Sequence, residues 1–163
     1  MKILVVSDSH GQISDMERAV ELEDPRIVIH LGDRVEDAED LERRCPNPVF
    51  ISLPGNCDYF CPDRPDRLLR KLGGISIFMT HGHRYGVKSD LLRLTLAARE
   101  AGAEIALFGH THCALCEKQD GLWLMNPGAC GGSRPSCGII DTSRPDELCR
   151  VVRFRDLEES TCF

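Results

Sequence analysis

Two apolar patterns alternate along the first two-thirds of this chain. Short runs rich in Ile, Leu and Val, at residues 2–7, 26–31, 49–53, 75–80 and 104–108, read as buried strands. Between them, Ile13, Met16, Ala19 and Val20 recur at helical spacing and predict an amphipathic helix over 13–23, which Pro25 ends. Residues 37–44 run from acidic to basic, the order a helix dipole favours, and Pro46 and Pro48 close that segment. Ser89 or Asp90 can cap a third helix with Leu91, Leu94, Ala98 and Ala101 on one face, and Gly102 stops it. Residues 63–72 show no clear period, and Gly73-Gly74 reads as a turn into the strand at 75–80.

Beyond residue 108 the helical patterns cease. Residues 114–118 and 122–125 flank Gln119-Asp120-Gly121, with Asp-Gly at a hairpin turn. Residues 137–141 and 148–154 read as a second antiparallel pair. The order βαβαβ, then βαβ, then a strand-rich tail predicts an α/β domain, with either one mixed sheet or two stacked sheets and helices outside. The 163 residues suit one compact domain, 1–163, since no repeat, linker or low-complexity stretch interrupts them.

Composition narrows the class. A net charge of -6 with no block of Lys or Arg speaks against stable nucleic-acid binding. It leaves a phosphate substrate open, because bound divalent cations invert the local field of an acidic protein. No export signal is visible, and no apolar stretch nears the roughly 18 residues of a membrane helix. A cytoplasmic protein without a membrane partner is expected. Nine cysteines, an odd number, read as reduced thiols rather than a disulfide framework. Cys113 and Cys116 have CxxC spacing, yet no second ligand pair stands at zinc-ribbon distance and the motif does not open a helix.

The chemistry is positional. Each of the five buried strands runs into residues of metal-binding type: Asp8-Ser9-His10, Gly32-Asp33, Gly55-Asn56, His81-Gly82-His83 and Gly109-His110-Thr111-His112. Sites in open α/β sheets form outside the carboxyl ends of the strands, so strands lying side by side would bring all five loops to one rim. Carboxylate, amide oxygen and imidazole together favour Mn, Fe, Zn, Co or Ni over Ca or Mg. Seven of these residues, Asp8, His10, Asp33, Asn56, His81, His110 and His112, exceed what one tetrahedral ion uses and suit two ions sharing a carboxylate. Ions about 3.5–4 Å apart assist in-line displacement at phosphorus. Taken singly, each Asp or His is also an ordinary cap, turn former or solvated group. Serine-hydrolase elbow, zincin and Walker motifs are absent.

Asp8-x-His10, Gly32-Asp33, Gly55-Asn56-Cys57-Asp58, His81-Gly82-His83 and Gly109-His110-Thr111-His112, in that order, resemble the calcineurin-like metallophosphoesterase signature. The short chain, Gly-Asn-Cys-Asp and Asn126-Pro127-Gly128 most resemble its small bacterial and archaeal phosphodiesterase branch, to which the retromer subunit of similar fold is related. The resemblance implies two stacked mixed β-sheets flanked by helices, a four-layer sandwich. It implies one ion on Asp8, His10 and His112, another on Asn56, His81 and His110, and Asp33 between them, with manganese first among the candidate metals. A metal-bridging hydroxide would attack a small or nucleotide phosphodiester. The implied alternatives are a phosphomonoesterase, a nuclease, or a non-catalytic protein-binding scaffold. Relatives are often homo-oligomers.

Where many relatives have His after the Asn, this chain has Cys57, a poorer general acid near neutral pH, so activated aryl or nucleotide esters are the expected substrates. His83 either contacts the leaving oxygen or orients a ligand; an exposed histidine is the plain alternative. Asp58 is expected to orient a ligand, with an exposed turn carboxylate as the alternative; His30, within a strand, to be packed or to back a ligand; and Asn126-Pro127-Gly128 to line the substrate mouth or simply turn. Arg84 and Arg134 are candidates to meet a phosphate, or else solvated.

Overall fold

A computed structural model describes residues 1–59, 61 and 63–159, with Glu158 and Glu159 described by backbone alone. The elements in order are β1 (Lys2–Val6), α1 (Ile13–Glu23), β2 (Ile27–His30), α2 (Val35–Arg44), β3 (Val49–Ser52), β4 (Arg67–Leu72), β5 (Ile75–Thr80), α3 (Leu92–Glu100), β6 (Ile105–Leu107), β7 (Leu115–Gln119), β8 (Leu122–Asn126), β9 (Ser136–Asp141), β10 (Cys149–Arg153) and α4 (Phe154–Glu159). The strands form two mixed five-stranded sheets, ordered β10-β9-β1-β2-β3 and β4-β5-β6-β8-β7.

Period-two alternation assigns each strand side chain to one of two cores. Ile3, Val5, Ile27, Ile29, Ile77, Met79, Ile105 and Leu107 fill the space between the sheets. Leu4, Val6 and Val28 face the other way, against Met16, Ala19 and Leu41 of α1 and α2. Phe78, Ala106 and Leu124 likewise pack on Leu94 and Ala98 of α3. The result is helices, sheet, sheet, helix. Burial on both faces is why these strands lack polar alternation.

The strands that end in candidate ligands do not all lie side by side. β1, β2 and β3 are parallel neighbours in one sheet, and β5 and β6 in the other. The common rim is therefore made by two sheets.

Three elements depart from the sequence pattern. Residues 63–72 include β4, an edge strand with Leu68 and Leu72 turned inward and Arg67, Arg70 and Lys71 exposed, a composition that guards an unpaired edge. Helix α2 begins at Val35 rather than Asp37, because the Asp58 carboxylate accepts from Val35 N–H across the fold. The tail is not purely strand. β10 stops at Arg153, and α4 follows, burying Phe154 and Leu157 against α1 and β10. No described helix is long and apolar enough to cross a membrane.

Candidate metal centre

The ends of β1, β2 and β6 turn abruptly. Asp8 (φ 54°), His10 (45°), Asp33 (59°), His110 (66°) and His112 (58°) all adopt the left-handed conformation. Asp and His tolerate it better than most residues, at a cost of about 1–3 kcal/mol each that neighbouring structure must offset. Strain concentrated on these five residues marks their orientation as something the fold enforces.

Hydrogen bonds do the enforcing. Asp8 Oδ2 accepts from Ser7 Oγ at 2.6 Å and from His110 N–H at 3.1 Å, joining the ends of β1 and β6. Asn126 Nδ2 donates to Gly109 O at 2.9 Å and Thr111 Oγ1 at 3.0 Å, bracing the segment that carries His110 and His112. Asn126-Pro127-Gly128 thus supports the site from beneath, with Asn126 fully buried. Asp58 braces two turns of the site. Its two carboxylate oxygens accept from the backbone N–H groups of Asp33, Arg34, Val35 and Gly55 at 2.7–2.9 Å, tying the turn after β2 to the turn after β3. A side chain at Gly55 would overlap Asp33, so the close approach of the two turns requires glycine there.

A directed chain lies below. Gly32 N–H donates to His30 Nδ1 at 3.2 Å, which leaves the proton on Nε2, 3.1 Å from Ser9 Oγ. Ser9 Oγ donates to Asp37 Oδ2 at 2.8 Å, which also accepts from Gly11 N–H at 2.7 Å. Burial pushes the His30 pKa down to about 4, against the opposing pull of Asp58, Asp37 and Asp8. Ser9 and Asp37 carried no sequence signal, since a serine between two candidate ligands and an acid in a first helical turn are both unremarkable.

The predicted ligands come together. Asp8, His10, Asp33 and His112 have donor atoms within 4.8 Å of one another. On the other side, His81 Nε2 lies 3.1 Å from Asn56 Oδ1 and 3.4 Å from Asp33 Oδ1, and the His81 and His110 rings are 5.1 Å apart. Asp33 belongs to both sets. The carboxylates and His81 are buried at the floor, while Asn56, His10 and His112 are exposed at the mouth. The His83 ring sits 5.4 Å from His81 and 6.1 Å from His110.

The electrostatics ask for positive charge. Leu31 O lies 2.9 Å from His81 Nδ1, so that nitrogen carries a proton, and Nε2 is turned toward two oxygen acceptors, Asn56 Oδ1 and Asp33 Oδ1. Asp8 Oδ1 is buried without a hydrogen-bond partner, 3.1 Å from His112 Nε2. Acceptors converging on acceptors need a cation between them, and a divalent ion fits this donor set. Burial pushes the Asp33 carboxyl up, but the Cys57 N–H bond at 2.9 Å and His81 outweigh it and hold its pKa below the ordinary value. Burial, then His81 and Arg84, lowers the His83 pKa; burial, then Lys88 and His81, lowers that of His110. Cys57 Sγ accepts from Asn56 Nδ2 at 3.4 Å, and burial followed by Asp33 raises its pKa, so it stays a thiol. The eight described cysteines are free.

Fold and site together define a metal-binding hydrolase architecture. Residues 1–144 match the sequence pattern of the calcineurin-like phosphoesterase superfamily domain, and the chain belongs to that superfamily. It is 36% identical over 132 residues to the probable metallophosphoesterase YsnB of Bacillus subtilis, covering 79% of this chain and 75% of that one. It is 28% identical over 165 residues to phosphodiesterase MJ0936 of Methanocaldococcus jannaschii, covering 90% and 96%. Among solved structures, a novel archaeal phosphodiesterase superposes with a TM-score of 0.75 at 26% identity, covering 94% of this chain and 99% of that one.

Proposed function

We propose that this protein is a metal-dependent phosphoric ester hydrolase, a phosphodiesterase that holds two divalent transition-metal ions. Asp8, His10 and His112 are assigned to one ion, Asn56, His81 and His110 to the other, and Asp33 to both. Manganese is the first choice, with iron, zinc, cobalt and nickel compatible with the same donors. The observation that carries the reading is Asp33 within reach of both donor sets, beside the unpartnered Asp8 Oδ1. Bound cations would activate water and neutralise charge on the phosphoryl oxygens.

The chain's own residues do the rest. Asp58 and Asn126 fix the ligand loops, and Leu31 O fixes the His81 tautomer. His83 stands at the edge of the centre, its lowered pKa favouring the neutral ring, and is assigned the leaving-group side. Two clefts open beside the centre, about 530 Å³ on the His112 side and about 520 Å³ on the His83 side. Room for two arms favours a diester over a monoester. The reading extends to a single domain over 1–163, a cytoplasmic setting, small phosphoester substrates, no stable nucleic-acid binding, and a possible homo-oligomer.

The test is a metal-reconstituted screen over nitrophenyl mono- and diesters with elemental analysis. Asp33→Asn should lose turnover of bis-p-nitrophenyl phosphate and bind less metal. A variant with native metal content and rate would refute the shared-carboxylate assignment.

A further inference from the structure

The two clefts differ in charge, and the difference selects a substrate. The His83-side cleft contains Arg64 and Arg84, but both are already paired. Arg64 meets Glu39 at 2.7 Å and also contacts Ser52, and Arg84 meets Asp66 at 2.8 Å. The His112-side cleft is lined by Cys113, Leu115, Ser136, one carboxylate, Asp156, and two arginines, Arg134 and Arg153. Neither arginine makes an ion pair or hydrogen bond among the described residues. In a protein with 26 acidic and 20 basic side chains, two guanidiniums against one carboxylate leave this cleft with an excess of positive charge, whereas Arg64 and Arg84 share theirs with Asp58 and Asp66.

Their placement is built into the fold. The loop carrying Arg134 is bonded to the metal-site strand itself, through Cys130 N–H to Ser7 O at 3.0 Å and Gly131 N–H to Asp8 O at 3.3 Å. Ser136 Oγ closes the same loop on Pro127 O at 2.6 Å. Arg153 ends β10 opposite Ser136, and Phe154 N–H bonds Pro135 O at 3.2 Å, so both arginine-bearing segments are joined. His112 belongs both to the cleft wall and to the candidate metal group, so a molecule held by the arginines is continuous with the reacting centre. The volume lies within the roughly 300–1,000 Å³ of small-molecule sites. Guanidinium forks suit phosphate oxygens.

We infer that this cleft is a second-phosphate subsite, and that the substrate class is a phosphodiester whose outer arm carries a further phosphate. The inference rests on the phosphodiesterase reading for the centre itself. Arg134 and Arg153 hold the terminal phosphate while the diester phosphorus sits between the two donor sets, and the second arm leaves toward the His83 side.

Two measurements on the full chain test this. The first compares thymidine 5′-(p-nitrophenyl phosphate) with its 3′-phosphorylated counterpart on manganese-loaded protein. The phosphorylated compound should show a KM at least tenfold lower, and the ratio should fall below threefold in the Arg134→Ala/Arg153→Ala double variant. Arg84→Ala should keep the native ratio. The second is calorimetry of thymidine 3′,5′-bisphosphate against thymidine 5′-phosphate on metal-free protein, where the bisphosphate should bind at least tenfold tighter in the native chain only. Equal affinities in the native protein, or a preference surviving the double variant, would overturn the inference. Failure of the catalytic reading is separately visible as absent nitrophenol release from bis-p-nitrophenyl phosphate while the calorimetric preference persists. Both arginines are exposed, so an unchanged melting temperature verifies folding of the variants.

Discussion

Removing the Asp58 carboxylate tests how the centre is assembled. Four backbone N–H groups converge on it, from Asp33, Arg34, Val35 and Gly55. The Arg34 N–H is exposed and regains water when the acceptor is lost; the other three bonds are partly buried. Hydrogen bonds to a charged group contribute about 1.5–3 kcal/mol each, though a cluster is not additive. Asp58 also places negative charge at the start of α2, whose first residue has no local side-chain cap. Asp58→Ala should therefore lower the unfolding free energy by about 3–4 kcal/mol, whereas an exposed turn carboxylate would cost under about 0.5 kcal/mol. Asp58→Asn keeps an accepting oxygen and should lose about half as much. Because the bonds hold the turns of Asp33 and Asn56 together, metal affinity should fall about 10–100-fold. Urea unfolding of metal-free protein and manganese calorimetry measure the two effects. A loss below 1 kcal/mol with native metal affinity would show that Asp58 is an ordinary surface residue and that the loops hold themselves.

Three further outcomes follow from the same geometry. His30 is neutral in the fold with a pKa of about 4 against an ordinary 6.5, so its stabilisation is complete above about pH 6.5 and disappears as pH falls toward 4. That shift is worth about 3 kcal/mol, and the difference between native and His30→Asn pH-stability curves should shrink across this window; parallel curves would refute it. Gly109→Ala would drive a methyl into Ser7 Oγ and Asp8 Oδ2 and should cost about 1–3 kcal/mol together with much of the metal content, both read by thermal unfolding and elemental analysis. Cys57→His should raise hydrolysis of alkyl phosphodiesters relative to nitrophenyl ones, since the native position holds a thiol of raised pKa; an unchanged ratio would remove Cys57 from any part in leaving-group departure.

Much of this protein was legible as a linear pattern. Helix α1 spans the residues its apolar spacing marked, and β5 likewise, because burial of a stripe or a two-sided strand is written directly as hydrophobic period. The candidate ligands at five strand ends stood out equally in the sequence, since Asp, Asn and His are residue types that metal chemistry favours. What the order of residues did not determine is everything that depends on who neighbours whom. The division between two sheets of the five strands that end in candidate ligands, the start of α2 set by Asp58 from another loop, and the edge strand β4 all arise from contacts distant in sequence. So does the charge contrast between the clefts. Arg84 and Arg134 look alike in the chain, but only packing gives one an aspartate and leaves the other facing a cavity. Local spacing encodes which face a residue presents; the field it experiences is a sum over neighbours that only the folded chain brings together.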